Sequence, residues 1–141
     1  MDQNERSIFP TVGGSRNNEV TLRWQRSAMF IFIHSTGFSV ALAQYESPLL
    51  SVISIVGFFL GLIWALTNQR TEEWINFWNK KMAEMEDSVE EPLRVKIYSS
   101  NEFKRISAEV PTFNQLLMIL SVVAIYGWIL VFLYDMVLRA R

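Results

Sequence analysis

The sequence predicts an all-α membrane protein with three transmembrane helices, the second extended into the cytoplasm as an amphipathic helix. The first observation behind this is three apolar runs, 27–45, 48–67 and 115–138, in which no Asp, Glu, Lys or Arg occurs before Asp135. At roughly 1.5 Å per residue, each run is long enough for a hydrocarbon layer of about 30 Å. The second is charge segregation: half of the residues are hydrophobic and 19% are charged, yet the charges gather in the first 26 residues, in 70–109 and at the C-terminal end. The third is helix punctuation at the edges of the runs.

The polar arm 1–26 carries Arg6, Arg16, Arg23 and Arg26. It is expected to be partly disordered, and it is too polar for a cleaved signal peptide, so the first helix should target itself. That helix, 27–45, is the least apolar of the three, with His34, Ser35, Thr36, Ser39 and Gln44 among its residues. It should therefore face protein or water rather than lipid. His34, Gly37, Ala41 and Gln44 share a side, which makes His34 and Gln44 the candidate polar site within the membrane. A lone histidine there is either part of a proton or ion path or a neutral, hydrogen-bonded packing residue.

A short turn follows, in which Ser47 can cap the second helix while Pro48 occupies its first turn. The two helices should form a hairpin, 27–67. Gly57, Gly61 and Ala65 on the second helix, and Ser35, Ser39 and Ala43 on the first, have the small-xxx-small spacing that lets membrane helices approach closely. These rows pack either the hairpin itself or one protomer on another.

From Asn68 to Asp87 there is no Gly or Pro, so the second helix should continue as a cytoplasmic amphipathic segment, 68–88. Trp74, Trp78, Met82 and Met85 recur at helical spacing, with Arg70 and Trp74 placed for the headgroup region. Such a stripe needs cover: from the 94–110 segment, from lipid, from a second copy or from a partner protein. The connector 89–114 contains Ser99-Ser100-Asn101-Glu102, which opens either an interfacial helix over 100–109 or a solvated linker. Thr112-Phe113-Asn114-Gln115 has capping-box spacing before the third helix, 115–138.

Lys and Arg are concentrated in the N-terminal arm and the long loop, and the turn after Tyr45 has neither. Retention of cationic loops predicts a cytoplasmic N-terminus in a multi-pass protein.

Catalytic patterns are missing. One histidine and no cysteine exclude multi-His and thiolate metal sites and disulfides, and neither a phosphate loop nor a nucleophile elbow occurs. Glu72-Glu73 and Glu90-Glu91 are adjacent pairs, which do not face one another on a helix. No enzyme activity, cofactor or nucleic-acid partner is expected; the expected partners are the lipid bilayer, further copies of the chain, and a cytosolic or membrane protein.

Asn68-Gln69-Arg70-Thr71-Glu72-Glu73-Trp74, then Phe77-Trp78 and Lys80-Lys81-Met82-Ala83-Glu84-Met85-Glu86, follow directly on the hairpin. Over about residues 20–88 this resembles the small bacterial inner-membrane proteins related to RipA and the SLATT group, in which a transmembrane hairpin precedes an Arg/Trp amphipathic helix. The resemblance implies a non-enzymatic protein that self-associates, as a regulated pore or a membrane-perturbing assembly. The competing expectation is an adaptor or accessory subunit that recruits a partner through 68–110. A proton-coupled transporter or membrane-embedded enzyme using His34 ranks third.

Overall fold

The computed structural model describes residues 3–88, 100–101 and 113–140, with side chains placed in 10–88, 100–101 and 115–140. Three long helices make up the described residues, and no strand occurs among them: α1 (Gln3–Ala43), α2 (Leu50–Asp87) and α3 (Phe113–Arg139). Two of these, α2 and Gln115–Arg139 of α3, are long and apolar enough to cross a membrane. Only 28% and 22% of their most apolar windows are buried within the chain, so neither is the enclosed core helix of a water-soluble fold. The expectation of three such helices is met for two. In α1, His34, Ser35, Thr36 and Ser39 dilute the apolar run.

Helix α1 begins far earlier than the expected arm allows. Pro10 and Gly13-Gly14 argue for irregular chain, yet the helix runs through them. Tertiary contact outweighs propensity here: Arg16 Nε donates to Asn79 Oδ1 at 2.8 Å, and a Cβ on Gly13 would lie 4.0 Å from Met82 Cε. The C-terminal end of α1 also differs, falling at Ala43 rather than Tyr45. A turn over 44–49 follows, in which the Ser47 hydroxyl accepts the Leu49 N–H at 3.2 Å and the Ser47 carbonyl accepts the Leu50 N–H at 3.1 Å. Ser47 thus caps α2 as its sequence position suggests. Most of the connector 89–114, with its proposed helix over 100–109 and the Thr112 cap, lies outside the described residues.

The chain divides into two compact units: one of 1–24 and 70–114, the other of 25–69 and 115–141. The second unit is a three-helix bundle in which every pair of helices touches. Its inward positions are Ser27, Phe30, His34 and Ala41 on α1; Leu50, Ser54, Gly57, Gly61, Trp64 and Asn68 on α2; and Leu117, Ser121, Ala124, Trp128 and Asp135 on α3. The steps of three and four residues are the seam of a left-handed, coiled-coil-like packing. Unlike the seam of a soluble bundle, this one sets Ser27, His34, Ser54, Asn68, Ser121 and Asp135, together with Gly57 and Gly61, among its large apolar side chains Phe30, Leu50, Trp64, Leu117 and Trp128. Most outward positions are Val, Ile, Leu or Phe, among them Phe32, Leu42, Phe59, Leu66 and Leu130.

In the other unit the seam of α2 continues through Thr71, Ile75, Met82 and Glu86, all buried. The facing helix is the N-terminal half of α1. Arg23 and Glu72 pair at 3.4 Å with side chains 10% and 30% exposed. Burial, joined by the nearby Arg16 charge, pulls the Arg23 pKa below its ordinary value, and Glu72 and Glu19 oppose that shift.

Candidate functional site

The centre of the bundle is organised by one side chain, the indole of Trp128. Gly37 of α1 and Gly57 of α2 form the notch that receives it. A Cβ on Gly57 would lie 2.2 Å from the indole, so that position requires glycine while Trp128 stays where it is; one on Gly37 would lie 3.0 Å from it, and the indole would have to give by a few tenths of an ångström. Phe38 stacks on the same indole with centroids 4.2 Å apart and planes at 9°. One turn back on α3, Gly61 meets Ile125 in the same close manner. Gly57 and Gly61 therefore pack α2 on α3 within the chain, and the partner of that glycine face is not the Ser35-Ser39-Ala43 row. Those three residues are exposed, with the Ser35 and Ser39 hydroxyls donating back to the carbonyls of Ile31 and Ser35. Ala65 is half-buried.

His34 is part of this centre and is 4% exposed. Its Nδ1 accepts a hydrogen bond from Trp128 Nε1 at 2.9 Å, and its ring stacks on Trp64 with centroids 5.5 Å apart. An Nδ1 that accepts leaves the proton of the neutral ring on Nε2. Among the described residues, the buried His34 Nε2, Trp64 Nε1 and Ser27 Oγ have no hydrogen-bond partner. Gln44, expected beside His34, is instead exposed in the turn, with its backbone closing the end of α1 onto Val40. The helix ends two residues too early for its side to extend that far.

Near the turn, the bundle closes on a polar cluster that sequence reasoning did not single out. Asp135 is 3% exposed; it accepts the Ser51 hydroxyl and the Arg139 guanidinium, whose Nε lies 3.0 Å from each carboxylate oxygen. Arg139 also donates to the Ser47 carbonyl at 3.2 Å. The signal was present in the sequence as the one acid within an apolar run, followed four residues later by Arg139. At the opposite end, the Asn68 amide donates to the Leu117 carbonyl at 3.4 Å.

The stripe expected over Trp74–Met85 is divided. Met82 is buried, Trp78 and Met85 are half-buried, and Arg70 and Trp74 are exposed. Part of the cover comes from α1, at Gly13; the 94–110 segment lies outside the described residues. Trp74 and Phe77 remain as an exposed edge-to-face aromatic pair, centroids 5.8 Å apart. Among the described residues no group of three or more His, Cys, Asp or Glu converges as metal ligands would.

Glycines and polar side chains in the seam, with an oily exterior, are how a bundle packs when lipid surrounds it. The model of the octameric membrane protein family (8xMP) matches residues 9–137. The chain belongs to this family. Family membership makes it a self-associating membrane protein, which agrees with the exposed apolar faces of α2 and α3. The match is to the octameric family and gives no support to the RipA and SLATT resemblance; exposed Arg and Trp after a membrane hairpin suit any helix that leaves a bilayer. No curated protein and no solved structure matches the chain.

Proposed function

We propose that the chain is a non-catalytic, multi-pass membrane protein whose copies close into an octameric ring, and that the ring acts as a regulated pore or membrane-perturbing assembly. One observation carries this reading: α1 exposes Ser35, Thr36 and Ser39 beside two helices apolar enough to cross a bilayer, within a family named for octamers. Lipid solvates such a face poorly, and assembly covers it. Residues 27–43 of α1 cross the membrane as well on this reading, because Phe30, His34 and Phe38 pack on Trp64 and Trp128 at the depth of the other two helices. On this reading the protein is in a bacterial inner membrane, and the Arg and Lys of 1–26 and 67–114 support a cytoplasmic N-terminus.

Reconstitution tests both parts. Native mass spectrometry from mild detergent is expected to give eight copies, and liposomes holding the protein are expected to release small ions. Monomers alone would remove the assembly; octamers without ion flux would remove the pore.

A second reading, an adaptor that recruits a cytosolic or membrane partner, is favoured by the exposed Trp74–Phe77 pair beside Arg70. It predicts a stoichiometric foreign protein in affinity purification that is lost with Trp74→Ala. A His34-dependent transporter or membrane-embedded enzyme ranks last, since His34 Nδ1 is engaged by Trp128. Activity that survives His34→Ala would exclude that role.

A further inference from the structure

The three outward faces of the bundle are not chemically alike. On α2 the outward positions Val52, Val56, Phe59, Ile63 and Leu66 are all exposed and purely hydrocarbon. On α3 the exposed row Ile119, Val123, Tyr126, Leu130, Leu133 and Val137 has one hydroxyl in mid-helix, on Tyr126, which is 63% exposed; the other exposed tyrosine of α3, Tyr134, is next to Asp135 at the end of the bundle. Tyr126 lies nine residues from Leu117 and nine from Asp135, the two residues that make polar contacts at opposite ends of the bundle. At 1.5 Å per residue it is about 13 Å from either end, beyond the roughly 6 Å over which a tyrosine reaches toward an interface. Its hydroxyl makes no hydrogen bond among the described residues and, facing lipid, would stay unsatisfied in hydrocarbon.

Helix α1 presents the complementary group at the same depth. Trp128 meets Gly37 and His34, and Gly127 meets Phe38, so Tyr126 is level with about Ser35 and Thr36 on the parallel helix α1. The Ser35 and Ser39 hydroxyls donate to the Ile31 and Ser35 carbonyls, whereas the exposed Thr36 hydroxyl makes no hydrogen bond among the described residues. The small Ser35, Ser39 and Ala43 side chains around it admit a bulky ring. Rotation about the membrane normal preserves depth, so groups that pair between copies in a ring must be level, as these are.

We propose that the ring closes through a heterologous contact in which the α3 face of one copy, with Tyr126 at its centre, packs on the Ser35-Thr36-Ser39 face of α1 in the next copy, while the α2 face meets lipid. This rests on the octameric reading above and names the surfaces that build it. The geometry agrees: outward directions of helices in a three-helix bundle differ by roughly 120°, and the two neighbours of a subunit in a ring of eight are seen at roughly 135° to each other. An isologous pairing of α1 with α1 would leave both Tyr126 hydroxyls in lipid.

The native absence of cysteine makes the test clean. Tyr126→Cys, Thr36→Cys and Phe59→Cys are made singly, and the first two also together, in the full chain, and oxidised in the membrane. The Tyr126/Thr36 double variant is expected to give a ladder of linked multimers. Mixed singles at these two positions should give dimers and nothing larger, and each single alone should give none. Tyr126→Phe is expected to weaken each contact about threefold, as an average membrane hydrogen bond does. Cross-linking of Phe59→Cys instead, with octamers intact by native mass spectrometry, would overturn the assigned faces and leave the octamer standing. Monomers throughout would overturn both.

Discussion

The two units use one helix in opposite ways. Along α2, buried positions recur at helical spacing within each unit, from Leu50 to Asn68 in one and from Thr71 to Glu86 in the other. What changes is mainly the outer side. In the bundle, where Leu50, Ser54, Gly57, Gly61, Trp64 and Asn68 are inside, Val52, Phe59 and Leu66 are outside; in the other unit, where Thr71, Ile75, Met82 and Glu86 are inside, Glu73, Lys80, Lys81 and Glu84 are outside beside Trp74 and Phe77. Helix spacing therefore sets where the contact line runs, and the surrounding solvent sets which side chains lie opposite it. In water, burial of Ile75 and Met82 stabilises the contact; in lipid, apolar burial gains little, and close backbone approach with internal hydrogen bonds takes over.

The contrast breaks most severely at Gly57. Gly57→Val drives a branched side chain into Trp128 and is expected to cost about 3 kcal/mol or more. Thermal unfolding in detergent would show this, with partial recovery when Trp128→Leu is added. Next is Asp135→Ala, which strips the acceptor from both Ser51 and Arg139 and should cost about 2 kcal/mol. A value near zero would mean that the cluster is dispensable to the bundle. In the other unit, Met82→Ala removes buried thioether and methylenes and should cost about 2 kcal/mol by lost transfer and packing, while truncation of the equally large but lipid-facing Leu66 should leave unfolding unchanged within about 0.5 kcal/mol.

Of similar size is the loss from Trp128→Phe, about 2 kcal/mol, because the five-membered ring that fills the notch goes together with the N–H to His34. A double-mutant cycle with His34→Ala would isolate that coupling. The smallest effect belongs to Lys81 and Glu84, a pair exposed on both sides at 2.7 Å. The Lys81 hydrogen bond holds the Glu84 pKa below its ordinary value. Its contribution is therefore present above the unfolded-state carboxylate pKa and lost as pH falls through the lowered folded one. Lys81→Ala should abolish that acid-side dependence and leave the unfolding midpoint at neutral pH unchanged within error.

Much of this architecture was legible in the sequence. The apolar runs located the membrane segments of α2 and α3, the Ser47-Pro48 turn located the hairpin, and the gap in Gly and Pro after Asn68 predicted that α2 runs on. The N-terminal half of α1 was not legible, because Pro10 and Gly13-Gly14 argue locally for a break and only the contacts with Asn79 and Met82 explain the helix. Gly57 and Gly61 stood out as packing residues, but their partner is Trp128 and Ile125 rather than the serine row. Spacing along one helix says which residues share a face; it does not say which helix that face meets. The same limit hid Asp135, whose partner Ser51 is 84 positions away.

In the proposed ring, α2 faces lipid while α1 and α3 face neighbouring copies. Nitroxides placed singly at Phe59, Thr36 and Tyr126 of the assembled protein in liposomes test this directly through collisions with dissolved oxygen and with a water-soluble nickel chelate. High oxygen access at Phe59, low oxygen access at Thr36 and Tyr126, and little nickel access at any of the three is the expected result. Equal oxygen access at all three sites, or strong nickel access at Phe59, would contradict it.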